Sequence, residues 1–292
     1  MTEALDLHRF ELADISLPRS LALAVHAQLG KIAPPVPVDD IARALDVAEI
    51  RTDIFDGFEG MLLTDQCRSK GAILASTRHG PRRARFTIAH ELGHFLMEQH
   101  VLSAEDGFRC RAQDMRETRE GRRHQKQESQ ANEFAIGLLA PFRMVDLFLS
   151  KDPDLRDGQR LREGLDVSLE ACVRRMIDRR QEPLAAVWSK NGQVRYSTRN
   201  GGFPFVHLEP GDRLPQISAA FRAVGNNSQG FTAFTETHAA AWINRTDIDL
   251  FEQTRVGADG HAVTLLWADA PEPDETDQPD DSVHRELDVP RF

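Results

Sequence analysis

The stretch Phe86-Thr-Ile-Ala-His90-Glu91-Leu92-Gly93-His94-Phe95-Leu96-Met97 sets two histidines four positions apart. In an α-helix, residues at that spacing lie about 40° apart around the axis and about 6 Å apart along it. His90 and His94 would therefore offer two imidazoles to one side, close enough to share an ion. Glu91, one step round, would point beside that ion, where it could take a proton from a bound water. Neutral imidazole nitrogens suit zinc, one ion per chain, with manganese as the alternative. Phe86, Ala89, Gly93, Leu96 and Met97 read as a buried helix face around the pair. Histidines in such a setting need partners, because a buried polar group without one is costly.

A site of this kind needs a third protein ligand. His100 stands six residues after His94, a spacing known from zinc sites in which a glycine turns the chain out of the helix. Met97 occupies the glycine position here, and if the helix simply continues, His100 lies about 240° round from His94 and faces away. Glu128 is the better candidate. It opens Glu128-Ser-Gln-Ala131-Asn132-Glu133-Phe134-Ala135-Ile-Gly-Leu138-Leu139-Ala-Pro141, where Ala131, Phe134, Ala135, Leu138 and Leu139 form a helical apolar stripe and Pro141 marks the end. Glu128 and Asn132 share a face of that helix. One can bind metal while the other accepts a hydrogen bond from a ligating imidazole. The competing reading of Glu128 is a first-turn acid favoured by the helix dipole. Glu133 reads as surface charge.

Together, Arg85-Phe-Thr-Ile-Ala-His90-Glu91-Leu-Gly-His94-Phe-Leu and the later Glu128-x-x-Ala-Asn132-x-Phe-Ala-x-x-Leu-Leu-x-Pro141 resemble the ImmA/IrrE metallo-endopeptidases over roughly residues 30 to 180. The resemblance implies zinc held by His90, His94 and Glu128, with Glu91 as general base. It also implies a cytoplasmic helix-turn-helix repressor as the protein substrate, cut to switch on stress-response or mobile-element genes. Two departures stand out: Gln130 occupies a position where the family often has an acid, and the C-terminal third does not match the sensor-like regions of the radiation-response members.

Outward from these motifs, 292 residues with 40% apolar content allow a sizeable core and two domains. The net charge is −10, but residues 268–292, with nine acids and two bases, account for −7 of it. An acidic body argues against broad nucleic-acid binding, which needs a basic face. The N-terminus does not read as a signal peptide, and no apolar run is long enough to span a membrane, which points to a cytoplasmic protein. Cys67, Cys110 and Cys172, odd in number and without C-x-x-C spacing, read as free thiols.

The expected fold class is α+β. Helices are expected over 17–31 and 41–45, then strands over 49–55, 60–63 and 71–76 leading into the histidine helix. Such a small sheet beside the histidine and Glu128 helices is a zincin-like plan, able to bind an extended peptide along its edge. Arg82, Arg83 and Arg85 oppose the dipole at that helix's N-terminus and read as solvated or substrate-contacting. Arg109–Gln127 reads as a charged, mobile loop, with His124 a surface residue that could swing in to stabilise a tetrahedral intermediate. Ser168 caps a helix with a Leu169/Cys172/Val173/Met176 face; packing is its better reading, half of a helix-turn-helix displaying Arg174 and Arg175 the lesser one.

From Pro183 the texture changes. Residues 184–189 and 193–197 read as a hairpin about Asn191-Gly192, followed by a helix near 216–224 and strands over 230–237, 239–244 and 262–268. Trp188, Trp242 and Trp267 read as core. The expected domains are thus 1–182, the metallopeptidase; 183–268, a small α+β sensor or docking unit; and 269–292, an acidic, disordered tail. The rival to an enzyme is a regulatory binding protein with a structural metal closed by a fourth ligand, for which His100, His124 and Cys110 are candidates.

Overall fold

The computed structural model describes residues 5–101, 107–110, 122–226 and 229–269; most of the expected charged loop, 111–121, and the acidic tail lie outside the described residues. In chain order the elements are α1 (Pro18–Leu29), α2 (Val38–Ala44), β1 (Val47–Asp53), β2 (Gly60–Thr64), β3 (Gly71–Ser76), α3 (Pro81–Leu96), β4 (Gly107–Cys110), α4 (Arg122–Leu139), α5 (Phe142–Val145), α6 (Leu155–Leu165), α7 (Leu169–Arg179), β5 (Leu184–Lys190), β6 (Gln193–Arg199), α8 (Ala219–Gly225), β7 (Gly230–Phe231), β8 (Thr235–Thr237), β9 (Asp249–Val256) and β10 (His261–Asp269). The architecture is mixed α+β, as its sequence leads one to expect. No helix among the described residues is long and apolar enough to cross a membrane.

The chain divides into two compact units. Of the described residues, the first unit takes those up to Met144 together with Arg162–Ser168. Its four-stranded sheet runs β1-β3-β2-β4, with β1 parallel to β3 and the other pairs antiparallel. Alternation sets its register: Leu62 and Ile73 are partners across β2 and β3, and both point into the core. Helix α3 packs on β2 and β3, and α4 packs on α3 and α1. Pro81 opens α3 at its first position, where a missing N–H costs nothing. From Thr87 to Met97 every residue is buried, so this is the central helix of the unit rather than an amphipathic cover.

Three expectations in this unit need correction. The arginines at the start of α3 are engaged within the unit: Arg82 and Arg85 both pair with Asp166, at 3.0 and 3.2 Å, and Arg83 lies 3.9 Å from the buried Glu59. Those acids supply the negative charge that the helix N-terminus favours and its own sequence lacks. Residues 107–110, at the edge of the expected loop, form β4 along β2. Helix α4 starts at Arg122, so Glu128 sits well inside it and is no first-turn acid.

The second unit takes Val145–Leu161 and the described residues from Leu169 onward. Its sheet runs β6-β5-β10-β9-β7, with β8 also on β9, all antiparallel. Asn191 and Gly192 form the expected two-residue turn, both with positive φ (51° and 74°), which matches the twist of the flanking strands. The buried face of α7 is Cys172, Val173, Met176 and Ile177, and Arg174 stacks over Trp188 and Tyr196 while pairing with Glu170. That engagement removes Arg174 from the helix-turn-helix reading.

Trp242 lies in the core, its Nε1–H donating to Glu252 at 3.1 Å; Trp188 and Trp267 are half-buried in aromatic contacts. The strand expected over 239–244 is a short 3-10 turn with one bridging residue, Ile243. A strand the sequence did not announce, β9, runs through the sheet instead. Its Glu252, Gln253 and Thr254 look like solvent-facing residues but are buried and partnered: Glu252 also accepts from the Ala219 amide, Gln253 from Leu155, and Thr254 bonds Thr264. Polar residues that find partners can line a core strand, and they erase the period on which strand recognition depends.

Candidate metal centre

The first unit brings His90, His94 and Glu128 together in one buried cluster. The two histidines leave α3 on one side, as the four-residue spacing requires, and their Nε2 atoms lie 3.1 Å apart. Glu128 reaches across from α4: its Oε2 is 3.2 Å from His90 Nε2 and its Oε1 is 3.2 Å from His94 Nε2. Candidate ligand atoms of all three fall within 4.8 Å of one another. Glycine makes the approach possible. A Cβ on Gly93 would stand 2.9 Å from Phe134 Cδ1 and 3.4 Å from the Ala131 backbone, so α4 can lie this close to α3 only because nothing is there.

The donor set suits a metal ion. Two nitrogens held about 2.0–2.1 Å from one zinc at a tetrahedral angle would be roughly 3.3 Å apart, close to what these two histidines already show. Their lone pairs repel at such a distance unless something positive lies between them. The acid–base balance says the same. Burial disfavours charge on His90, yet the Glu128 carboxylate, by hydrogen bond and by charge, and then Glu91 outweigh it and raise its pKa. Burial lowers His94 to about 4 despite its bond to Glu128, and the His90 charge pushes it further down. Burial alone would raise Glu128, but its bonds to both histidines hold it well below the usual carboxylate range. The cluster therefore wants one positive charge between an ionised carboxylate and two imidazoles, which is where a divalent cation would sit.

The supporting residues fall into place around it. His90 Nδ1 lies 3.0 Å from Asn132 Oδ1, so the Asn132 carbonyl accepts the Nδ1–H and leaves Nε2 for the ion. Glu91 is fully buried on α3, and it faces the start of β2: a Cβ on Gly60 would overlap its Oε1. His124, one-third exposed, has its Nδ1 3.9 Å from Glu128 Oε1. Glu133 is away from the cluster, paired with Arg19. Cys67 and Cys172 are free thiols outside the cluster, and the side chain of Cys110 lies outside what is described.

His100 faces away from the cluster, but by a route the sequence did not signal. Helix α3 does not continue: it ends at Leu96, and Met97 is extended (φ −83°, ψ 93°). The chain turns, and His100 comes back, buried, with its Nδ1 2.9 Å from His94 Nδ1. It thus meets His94 on the side away from the cluster and is not among the converging donors. The turn is held by Arg68, whose guanidinium donates to the carbonyls of His94 (2.8 Å), Phe95 (3.3 Å), Met97 (2.6 Å) and His100. The last carbonyls of a helix have no partners of their own, and here a residue from the β2–β3 loop supplies them. Nothing local in the sequence marks Arg68 or Gly60, because each acts on a residue more than twenty positions away.

Residues 45–176 match the family model for the peptidase M78 family, described as the IrrE N-terminal-like domain. Residues 45–176 belong to the M78 peptidase family. The M78 segment contains every member of the cluster, together with Gly60, Arg68, Glu91 and Asn132. Among solved structures, a Mycobacterium tuberculosis transcriptional regulator has a TM-score of 0.54 over 89% of this chain and 81% of its own, at 14% sequence identity. Likeness at that identity shows a shared fold. No curated protein matches the chain. The M78 family suggests a metallopeptidase, and its residues here can hold a metal ion.

Proposed function

We propose that this protein is a zinc-dependent endopeptidase that hydrolyses a peptide bond in a cytoplasmic protein, a helix-turn-helix repressor, and so derepresses the genes it controls. The observation that carries the reading is a buried His90–His94–Glu128 cluster with a carboxylic acid, Glu91, beside it on the same helix. His90, His94 and Glu128 hold the ion, and Asn132 orients His90. Zinc supplies Lewis acidity when bound, polarising the scissile carbonyl and bringing the pKa of a coordinated water to roughly 7. Glu91 takes a proton from the attacking water as its oxygen bonds to the carbonyl carbon. It then gives that proton to the amide nitrogen as the C–N bond breaks, leaving an acid and an amine. Three protein donors leave a position for substrate, whereas a structural site closes with four.

The repressor as substrate, and the cytoplasm as the place, come from the ImmA/IrrE resemblance; the protein that shares the fold is itself named a transcriptional regulator. We assign the chemistry to residues 1–182 and substrate docking or signal sensing to 183–268. The test pairs metal content with cleavage. Wild type and Glu91→Gln are purified, assayed for zinc, and incubated with helix-turn-helix repressors encoded by the same genome. Both should bind one zinc, and only wild type should cut. Zinc in both with no cutting by either, and a fourth protein ligand seen by X-ray absorption, would replace this reading with a structural metal.

A further inference from the structure

The residue at 130 departs from the pattern this chain otherwise resembles, and it does not face solvent alone. Its Oε1 lies 3.2 Å from His100 Nε2, while His100 Nδ1 lies 2.9 Å from His94 Nδ1. Three side chains thus form a line that ends on a ligand. The direction in which the protons point along that line decides whether the ligand can work. With the Gln130 carbonyl accepting from His100 Nε2–H, His100 Nδ1 is bare and accepts from His94 Nδ1–H. His94 Nε2 is then a lone pair aimed at the cluster. With the Gln130 amide turned over, its NH2 donates to His100, His100 donates to His94, and His94 must carry its proton on Nε2, where it cannot ligate. A carboxylate at position 130 accepts only, whereas glutamine can stand either way.

We infer that Gln130 and His100 are positioning residues: they fix His94 as its Nδ1–H tautomer and aim its Nε2 at the ion, with Arg68 holding His100 in place. The inference rests on the metal-binding part of the proposed function, since a bound ion gives the relay a ligand to serve. Its geometry is independent of Glu91. His100 is buried, Arg68 grips the carbonyls on both sides of the turn, and Gln130 rides α4 two residues beyond Glu128. One helix thus supplies a ligand and the far end of the line that orients another. His90 is served by Asn132 of the same helix. Each imidazole therefore has its Nδ1 partner, one direct and one through a second histidine, and such outer partners are worth about 10- to 100-fold in metal affinity.

The test uses the full chain loaded with zinc, and three variants: His100→Phe, Gln130→Met and, as a conservative rescue, Gln130→Glu. Zinc affinity is read by competition with a chelator, and folding by urea unfolding of the metal-free proteins. Imidazole 15N NMR of the zinc-loaded proteins reads a coupling across the His94 Nδ1–H···Nδ1 His100 bond. We expect that coupling in wild type and Gln130→Glu, its loss in His100→Phe, and its weakening in Gln130→Met. Zinc affinity should fall about 10- to 100-fold in His100→Phe and Gln130→Met and stay near wild type in Gln130→Glu. Gln130→Met guards the test if His100→Phe does not fold. Zinc bound by folded Gln130→Met as tightly as by wild type, with the coupling unchanged, overturns the relay. A relay that behaves as expected in a chain that cuts no repressor leaves the positioning role standing and removes the peptidase reading instead.

Discussion

Gly93 sits between the histidines' helix and the helix that carries Glu128, and Gly93→Ala measures how much the metal centre depends on that distance. The added carbon would stand 2.9 Å from Phe134 Cδ1, 3.4 Å from the Ala131 Cα and 3.4 Å from Met97 Cε. Carbon atoms prefer about 3.5–4.0 Å, so the Phe134 contact is short by roughly 0.6–1 Å. Phe134 is fully buried and cannot swing away, so the relief available is a movement of α4 off α3. Two terms oppose each other in stability. Alanine gains about 0.8–1 kcal/mol over glycine inside a helix, while overpacking a filled core costs about 1–3 kcal/mol. The net loss is about 0–2 kcal/mol, and the protein should fold. The site has less tolerance, because metal–ligand distances are held to about ±0.2 Å. A shift of a few tenths of an ångström in α4 carries Glu128 and Asn132 together away from the histidines. Zinc affinity should therefore fall about tenfold or more, which is at least about 1.4 kcal/mol, beyond any loss in folding. Chelator competition reads the first quantity and urea unfolding of the metal-free protein the second. Gly93→Ala binding zinc within twofold of wild type while folded would refute the claim that this approach sets the site.

Gly60→Ala perturbs the other side of the same helix. Its Cβ would overlap Glu91 Oε1 and come 2.6 Å from Thr87 Cγ2, displacing the proposed general base without touching a ligand. Zinc content should be unchanged while cleavage falls about 10²- to 10⁴-fold, the usual worth of such a base; full activity in that variant would mean Glu91 is not placed as argued. His26 gives a pH signature remote from the metal. Its Nε2–H donates to the Leu138 carbonyl at 2.8 Å and its Nδ1 accepts from Arg143 at 3.0 Å, and burial, with Arg143 adding, lowers its pKa below the ordinary 6.5. The unfolded chain takes up the proton first, so stability is fully present above pH 6.5 and is lost as pH falls toward the folded value, by at most about 1.4 kcal/mol per pH unit. His26→Gln should be less stable at neutral pH and flatter than wild type below 6.5 in urea unfolding; parallel curves would exclude His26 as the source.

The parts of this protein that could be read from its sequence are those governed by short periods. Four-residue spacing put His90 with His94 and Glu128 with Asn132, and the structure brings both pairs to one place. Alternation and the Asn191-Gly192 turn gave the β5–β6 hairpin. What escaped depended on partners far along the chain. Nothing along α3 itself signals that it stops at Leu96, because the residue that donates to its last carbonyls is Arg68. His100 was therefore read off a helix that is no longer there, and its contact with His94 went unseen. Strand β9 was hidden by buried Glu252 and Gln253, whose partners Trp242, Ala219 and Leu155 lie on other elements. Gly60 looked like any glycine before a strand until Glu91 stood opposite it.

Arg68 also changes what the loop that carries it can tolerate. Turns between hairpin strands are ordinarily where a lineage adds or drops residues, since little depends on their length. The turn between β2 and β3 is tied down at Asp65, which accepts from the Ser69 amide, and at Thr64, whose hydroxyl donates to the Lys70 carbonyl. Within it, Arg68 takes a positive φ of 50° and sends its guanidinium to the end of α3. One residue gained or lost here would draw that group out of reach of four carbonyls, and lysine, with a single ammonium in place of a planar fork, could not replace it. The histidine motif would then lose the end of its helix with every one of its own letters intact. Indel tolerance in this domain is thus set at a surface turn by a helix terminus in the interior, and a homologue with a longer β2–β3 turn would need another way to close α3.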